Sequence, residues 1–288
     1  MTARILDGKA IADQIRTEVA DRVRALAERG MTPGLAAVLV GDDQASRIYV
    51  GAKHKASADV GIRSEQIDMP AYVTEGELHA TIRRLNRDPE IHGIILQLPM
   101  PHHIRELEVQ QTMDPSKDVD GLHPWNVGMM VRGEPTFRPA TPYGIVELLL
   151  RSGIDLQGAE VVVVGYGDLV GAPLSIMLAQ DSIRGNSTVT CCHVKTKDLA
   201  DHTRAADILV AAAGVPELIT GDMIKPGATV IDVGVHRTEK GLVGDVHFEQ
   251  ALKVAGAITP VPGGVGPMTV SMLMVNTVAA AEAQAFGR

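Results

Sequence analysis

The run Val161-Val162-Val163-Val164-Gly165-Tyr166-Gly167-Asp168-Leu169-Val170-Gly171 places the tightest constraint on what this chain can fold into. Consecutive β-branched residues closed by a glycine form a strand buried on both faces, and such strands belong to parallel sheets covered by helices. The segment that follows, Pro173-Leu174-Ser175-Ile176-Met177-Leu178-Ala179, has apolar spacing suited to a helix and a proline that a first turn tolerates. Gly165, Gly167 and Gly171 therefore lie in a strand-to-helix turn, where backbone amides can approach a pyrophosphate at the positive end of a helix. The spacing is one residue longer than the common dinucleotide fingerprint, and a glycine-rich turn can be only a turn. Its setting between strand and helix makes a dinucleotide site the better reading.

The rest of the chain extends this alternation. Ile11, Ile15, Val19, Val23 and Leu26 mark one face of a first helix stopped by Gly30. Strands are expected over 35–40, 63–69 and 92–98, and helices from about Ser46 to Val60, Glu75 to Asn86 and Arg105 to Met113. Residues 121–140 are rich in proline and glycine and read as loop and domain crossover. A helix follows from Thr141 to Leu150. Beyond the valine run, strands are expected over 188–193, 208–212 and 229–233, with 258–261 as a candidate fifth and a last helix from about Thr269 to Ala285. The pattern predicts two α/β domains with covered, largely parallel sheets.

Composition narrows the function. The 288 residues suit one large domain or two smaller ones, and 45% apolar residues with only 3% aromatics imply an aliphatic core. A net charge of -8 without a basic run argues against a nucleic-acid surface. Cys191 and Cys192 are neighbours in an expected strand, so they point to opposite faces and form no disulfide framework. No signal peptide opens the chain and no apolar run reaches the ~20 residues of a membrane helix, so a cytoplasmic protein is expected.

Several polar residues stand out. Tyr49 and Lys53 are four apart and share a helix face, although a lysine on such a helix is by statistics a solvated one. Gln97 sits near the end of an apolar strand, where a buried amide needs partners and where ligands bind in parallel sheets. Asp118 and Asp120 lie in a charged loop. Neither they nor His102, His103 and His123 have the ligand spacing of a metal site, and no metal is expected. The stretch Pro260-Val261-Pro262-Gly263-Gly264-Val265-Gly266-Pro267 is either a rigid turn before the last helix or a site wall able to bring backbone against a ligand.

Taken together, these residues resemble the bifunctional methylenetetrahydrofolate dehydrogenase/methenyltetrahydrofolate cyclohydrolase family. The matching segments are Asp7-Gly8-Lys9-Ala10-Ile11-Ala12, Tyr49-x-x-x-Lys53 with Lys55-Ala56, Gln97-Leu98-Pro99, Lys117-Asp118-Val119-Asp120-Gly121 and His123-Pro124-x-Asn126. They continue with Lys225-Pro226-Gly227-Ala228, Val230-Ile231-Asp232-Val233-Gly234, Gly244-Asp245-Val246 and the Pro260–Thr269 stretch, in family order along the whole chain.

The resemblance implies oxidation of 5,10-methylenetetrahydrofolate by hydride transfer to a nicotinamide, then hydrolysis of the methenyl product to 10-formyltetrahydrofolate. The cofactor carries the redox step while the protein orients and polarises. Lys53 matches the catalytic lysine, which must be partly neutral to act as a base. Gln97 matches its partner, Tyr49 the aromatic stacked on the aminobenzoate ring, and Asp120 the carboxylate on the donor-rich pterin edge. Leu98, Pro262 and Gly263 match further folate-binding positions. Gly165, Tyr166, Gly167, Gly171, Val194, Lys195 and Val235 match cofactor-binding positions. The family pattern implies a homodimer, a catalytic domain of residues 1–140 plus 269–288, a Rossmann-like domain of 141–268, and folate in the cleft between them. Two rival readings are a dehydrogenase that has lost cyclohydrolase activity and a dinucleotide sensor without turnover. The intact Lys53, Gln97 and Asp120 set weighs against both.

Three positions depart from the family. Tyr166-Gly167 stands where many members have Arg-Ser, Val194 where serine commonly follows Cys-His, and Ala140 in place of a familiar cysteine. The first two bear on cofactor choice. NAD-selective sites place an acid at the end of the second strand, and here His193 is followed by Val194-Lys195-Thr196-Lys197. The missing acid and the two lysines favour NADP over NAD.

Overall fold

A computed structural model describes residues 2–134, 137–239 and 241–286. The elements through the first half are β1 (Arg4–Ile5), α1 (Gly8–Ala27), β2 (Gly34–Val40), α2 (Gln44–Asp59), β3 (Arg63–Met69), α3 (Glu75–Arg87), β4 (Gly93–Leu96), α4 (Glu106–Thr112), α5 (Pro124–Val131) and α6 (Ala140–Arg151). The second half contributes β5 (Glu160–Val164), α7 (Gly171–Ala179), β6 (Thr188–Cys192), α8 (Leu199–Thr203), β7 (Ile208–Ala211) and β8 (Thr229–Asp232). It ends with a hairpin of β9 (His236–Thr238) and β10 (Gly241–Val243), then α9 (Phe248–Ala251), β11 (Ala257–Ile258) and α10 (Val265–Phe286). Among the described residues, no helix is long and apolar enough to cross a membrane.

The chain divides into two compact units. One holds residues 13–140 and 270–286 and is built on the parallel sheet β3-β2-β4. Every residue of β2 is buried, and Leu78, Ile82 and Leu85 of α3 pack against the core formed by its side chains and those of β4. The N-terminus of α3 is a capping box. The Thr74 hydroxyl accepts from the Glu77 amide at 3.3 Å, and the Glu77 carboxylate accepts from the Thr74 amide at 2.9 Å.

The other unit holds residues 2–12 and 141–269 around a six-stranded sheet in the order β1-β11-β8-β7-β5-β6, with neighbouring strands parallel throughout. The four valines of β5 are buried, as a central strand with helices on both sides requires. Chain order runs outward in both directions from β5, with β6 on one side and β7, β8 and β11 on the other, which makes the β5/β7 boundary a topological switch point.

Four features differ from the sequence-based expectation. The first residues join the second sheet: Arg4 and Ile5 pair with Ala257 and Ile258, so the unit boundary falls after Ala12. A two-residue strand has no periodicity to read. Residues 121–140 are not all loop, because α5 begins on Pro124 with the His123 ring accepting from the Trp125 amide at 3.0 Å. A proline that marks a break in composition serves there as a first helical residue. Residues 135–136 of that stretch lie outside the described residues. The strand expected over 258–261 sits instead at Ala257–Ile258, and α10 starts at Val265, inside the glycine- and proline-rich stretch. Pro267 falls in its first turn, where no amide is needed.

Candidate active site

In the unit built on β3-β2-β4, the candidate residues gather at the carboxyl end of the sheet. Asp43 caps α2 by accepting from the Ser46 amide at 2.7 Å. One turn further, Tyr49 is 46% exposed and Lys53 half-buried on the same helix. The Lys53 Nζ donates to Gln97 Oε1 at 3.2 Å, and the Gln97 amide nitrogen donates to the Leu98 carbonyl at 2.7 Å. Gln97 is thus oriented as an acceptor toward the amine, with its donor end occupied elsewhere. Ser57 anchors the helix beyond Lys53. Its hydroxyl donates to the Lys53 carbonyl at 2.9 Å and lies 3.3 Å from the Met274 sulfur.

Asp120 reaches the same end of the sheet. A parallel bridge between Ile94 and Asp118 carries the two segments onward in one direction, toward Gln97 and Asp120 respectively. The segment before Asp120 is not the solvated loop its charge suggests. Lys117 and Asp118 are buried. The Lys117 ammonium donates to the Leu85 and Asp88 carbonyls at 3.0 and 2.7 Å, at the negative end of α3. Asp118 Oδ2 accepts from the His123 amide and the Asn126 side chain, both at 2.8 Å. Burial lowers the Lys117 pKa and pushes the Asp118 carboxyl above the usual carboxylate range. Asn276, from the last helix, donates to the Val119 carbonyl at 2.8 Å and the Arg138 carbonyl at 3.0 Å. Asp120 is therefore held on a rigid turn by residues whose polar character alone does not announce a structural role.

In the unit of the six-stranded sheet, the glycine turn follows β5. Gly165 has φ +103°, a left-handed conformation that a side chain disfavours, and its amide donates to the Cys192 carbonyl at 2.8 Å. A Cβ at Gly165 meets the Ala212 carbonyl oxygen at 2.0 Å, and one at Gly171 meets the Gly165 oxygen at 1.9 Å. Gly165 lets the turn pass against the segment after β7, and Gly171 lets the helix start pack against that turn. Gly167 differs, since a Cβ there meets no atom within 4 Å beyond its chain neighbours. Tyr166 is exposed beside it. This is the backbone shape expected of a pyrophosphate cradle at a helix N-terminus.

At the end of β6 a short turn is closed by the His193 amide donating to the Thr196 hydroxyl at 2.8 Å and the Lys195 amide donating to His193 Nδ1 at 3.1 Å. Val194, Lys195 and Lys197 are exposed on it, where a Rossmann site meets the adenosine ribose. Cys191 is exposed and Cys192 buried, as opposite faces of a strand demand. Val235 follows β8 and is 48% exposed. Pro262 and Gly263 follow β11, where the Gly263 carbonyl accepts from the Lys9 amide at 3.0 Å.

Two acids of the matching segments and a histidine between them form a cluster behind the ends of β7 and β8. Asp232 and Asp245 are both buried. Asp232 accepts from the Gly234, Asp245 and Val246 amides at 2.8–3.0 Å. Asp245 accepts from the Ala213 and Gly214 amides at 2.6 and 2.8 Å and from His236 Nε2 at 2.7 Å. Burial outweighs these donors at Asp232 and pushes its pKa up to about 6. The spacing of these acids and the histidine along the chain gives no local signal that they converge.

Comparison with known proteins gives the family of the chain. A family model described as the tetrahydrofolate dehydrogenase/cyclohydrolase catalytic domain matches residues 6–120, and its NAD(P)-binding counterpart matches residues 139–285. The chain is 56% identical over 281 residues to a bifunctional FolD protein of Geobacter sulfurreducens, covering 97% of each. It is 54% identical over 283 residues to the FolD protein of Bordetella avium, covering 98% of each. Among solved structures, the bifunctional FolD dehydrogenase/cyclohydrolase of Campylobacter jejuni superposes with a TM-score of 0.94 at 45% identity, over 97% of this chain and 99% of that one. The Trypanosoma brucei FolD enzyme, solved with NADP and an inhibitor, gives 0.94 at 41% identity over 99% of each. The chain belongs to the tetrahydrofolate dehydrogenase/cyclohydrolase family.

Proposed function

We propose that this protein oxidises 5,10-methylenetetrahydrofolate with NADP and hydrolyses the resulting 5,10-methenyltetrahydrofolate to 10-formyltetrahydrofolate. The observation that carries the reading is the Lys53–Gln97 hydrogen bond at the carboxyl end of a parallel sheet. It occurs in a chain whose other unit has a glycine turn shaped for a dinucleotide.

The glycine turn and the two lysines after β6 fit NADP, which when bound accepts hydride from the methylene carbon. Gly165, Gly167 and Gly171 shape the turn for the pyrophosphate, and Lys195 or Lys197 pairs with the 2′-phosphate. Tyr166, Val194 and Val235 complete the cofactor-binding set. Tyr49 stacks on the aminobenzoate ring of the folate, Asp120 accepts from the pterin, and Leu98, Pro262 and Gly263 supply further folate contacts. In the hydrolytic step water adds to the methenyl carbon and the Lys53 amine, as base, takes one of its protons; the carbon–N5 bond then breaks as the remaining hydroxyl proton passes to N5 and the formyl carbonyl forms on N10. Gln97 holds that amine in place. The protein acts as a homodimer, as the family resemblance implies.

Two results check the assignments. Asp120→Asn replaces an acceptor facing pterin donors with a group that is partly a donor. Folate affinity should fall roughly 10- to 100-fold, the size of a hydrogen bond to a charged group, while dinucleotide affinity holds. Separate titrations of the two ligands measure this, and unchanged folate affinity removes Asp120 from the pterin site. For the cofactor, specificity constants should favour NADP over NAD, and replacing both Lys195 and Lys197 by alanine should erase the preference. A wild-type enzyme faster with NAD at equal subsaturating concentrations contradicts the assignment.

A further inference from the structure

The cluster behind β7 and β8 bears on the dinucleotide in a way the glycine turn does not. β6 lies on one side of the switch point and carries the adenosine end. The nicotinamide half of a dinucleotide therefore falls to the carboxyl ends of β7 and β8. Two backbone segments leave those ends. Residues 212–215 follow β7, and residues 233–236 follow β8. Each presents a half-exposed valine, Val215 at 47% and Val235 at 48%. Both segments are fastened to one buried carboxylate. Asp245 Oδ2 takes the Ala213 and Gly214 amides, and Oδ1 takes His236 Nε2 at 2.7 Å. Asp245 is fixed in turn by its own amide donating to Asp232, which also holds Gly234.

Of these ties, the His236 imidazole is the one side-chain limb. In this bond Nε2 is the donor and the carboxylate oxygen the acceptor. His236 also brackets Val235 on its carboxyl side, while Gly234, bonded to Asp232, brackets it on the other. We infer that His236 is a positioning residue for the nicotinamide half of the dinucleotide, acting through Asp245 on the segments that carry Val215 and Val235. The inference rests on reading this unit as the dinucleotide site.

The test separates the two halves of the ligand. Binding of the reduced dinucleotide, NADPH or NADH, is compared with binding of its matching adenosine fragment, in the full-length wild type, His236→Leu and His236→Gln. Glutamine can present an amide proton where Nε2–H lies, whereas leucine cannot. His236→Leu should weaken the dinucleotide on the order of tenfold, as loss of a charge-assisted hydrogen bond implies. Its affinity for the adenosine fragment should stay the same, and His236→Gln should restore dinucleotide affinity. Equal loss of both ligands, or no loss of either, overturns the positioning role, as does a glutamine variant no better than leucine. A wild type that binds neither dinucleotide overturns the underlying reading, and the inference with it. If His236→Leu does not fold, the ring resonances of His236 in the wild type decide the matter. They should move on adding dinucleotide and stay in place with the adenosine fragment, and the reverse pattern or no movement contradicts the inference.

Discussion

Lys53→Met should abolish hydrolysis of methenyltetrahydrofolate while leaving the fold intact. Methionine keeps the length and apolar stem of lysine and removes the amine that Gln97 holds at 3.2 Å. Lys53 is half-buried on the face of α2 that also carries Tyr49, and its backbone carbonyl keeps its bond from Ser57 in the variant. Loss of a positioned base is worth about 10²- to 10⁴-fold in rate. The hydrolysis rate should fall by that much, with a thermal midpoint within a few degrees of the wild type, the effect of about 1 kcal/mol or less. Absorbance decay of the methenyl compound gives the rate and circular dichroism the midpoint. A folded variant with the wild-type rate removes Lys53 from the mechanism. Gln97→Ala should also slow hydrolysis but by less, since it frees the amine without deleting it.

The second large effect separates two glycines four residues apart. A Cβ at Gly171 sits 1.9 Å from the Gly165 carbonyl oxygen, so Gly171→Ala forces the first turn of α7 away from the strand. Overpacking against backbone costs about 1–3 kcal/mol and displaces the cradle. Both stability and dinucleotide binding should drop. A Cβ at Gly167 meets no such obstacle, so Gly167→Ala should leave the melting temperature nearly unchanged. It should still weaken dinucleotide binding, because the middle glycine of such turns lets backbone approach the pyrophosphate. Calorimetry for stability and fluorescence titration for binding read the two effects separately. Normal binding by Gly167→Ala places the pyrophosphate elsewhere. A Gly171→Ala variant as stable as the wild type contradicts the close packing of turn and helix.

The contrast between these glycines also shows what the sequence could convey. Strand, turn and helix around Val161–Gly171 were legible because four buried valines and three glycines express local demands of a parallel strand and a tight turn. The Tyr49/Lys53 face was legible for the same reason, since helical spacing is a local property. What escaped depends on contacts far apart in the chain. Arg4 and Ile5 become a strand only because Ala257 and Ile258 lie beside them. Lys117 and Asp118 read as solvated charges until the Leu85 and Asp88 carbonyls and the Asn126 amide supply partners. His236 and Asp245 are nine residues apart and meet only because the β9–β10 hairpin turns the chain back. Asp120 stands between these cases. The resemblance singled it out, but its rigidity comes from Asn276 and the buried Lys117-Asp118 pair, which no periodicity announces.

The most direct test of the whole account is one assay on the purified full-length protein. 5,10-Methylenetetrahydrofolate is supplied with NADP or with NAD, and reduced nicotinamide and the methenyl and 10-formyl products are followed together. The account predicts reduced nicotinamide with either dinucleotide and faster with NADP, accompanied by 10-formyltetrahydrofolate appearing faster than methenyl hydrolysis in buffer alone. No reduced nicotinamide with either dinucleotide, or methenyl hydrolysis no faster than in buffer, contradicts it.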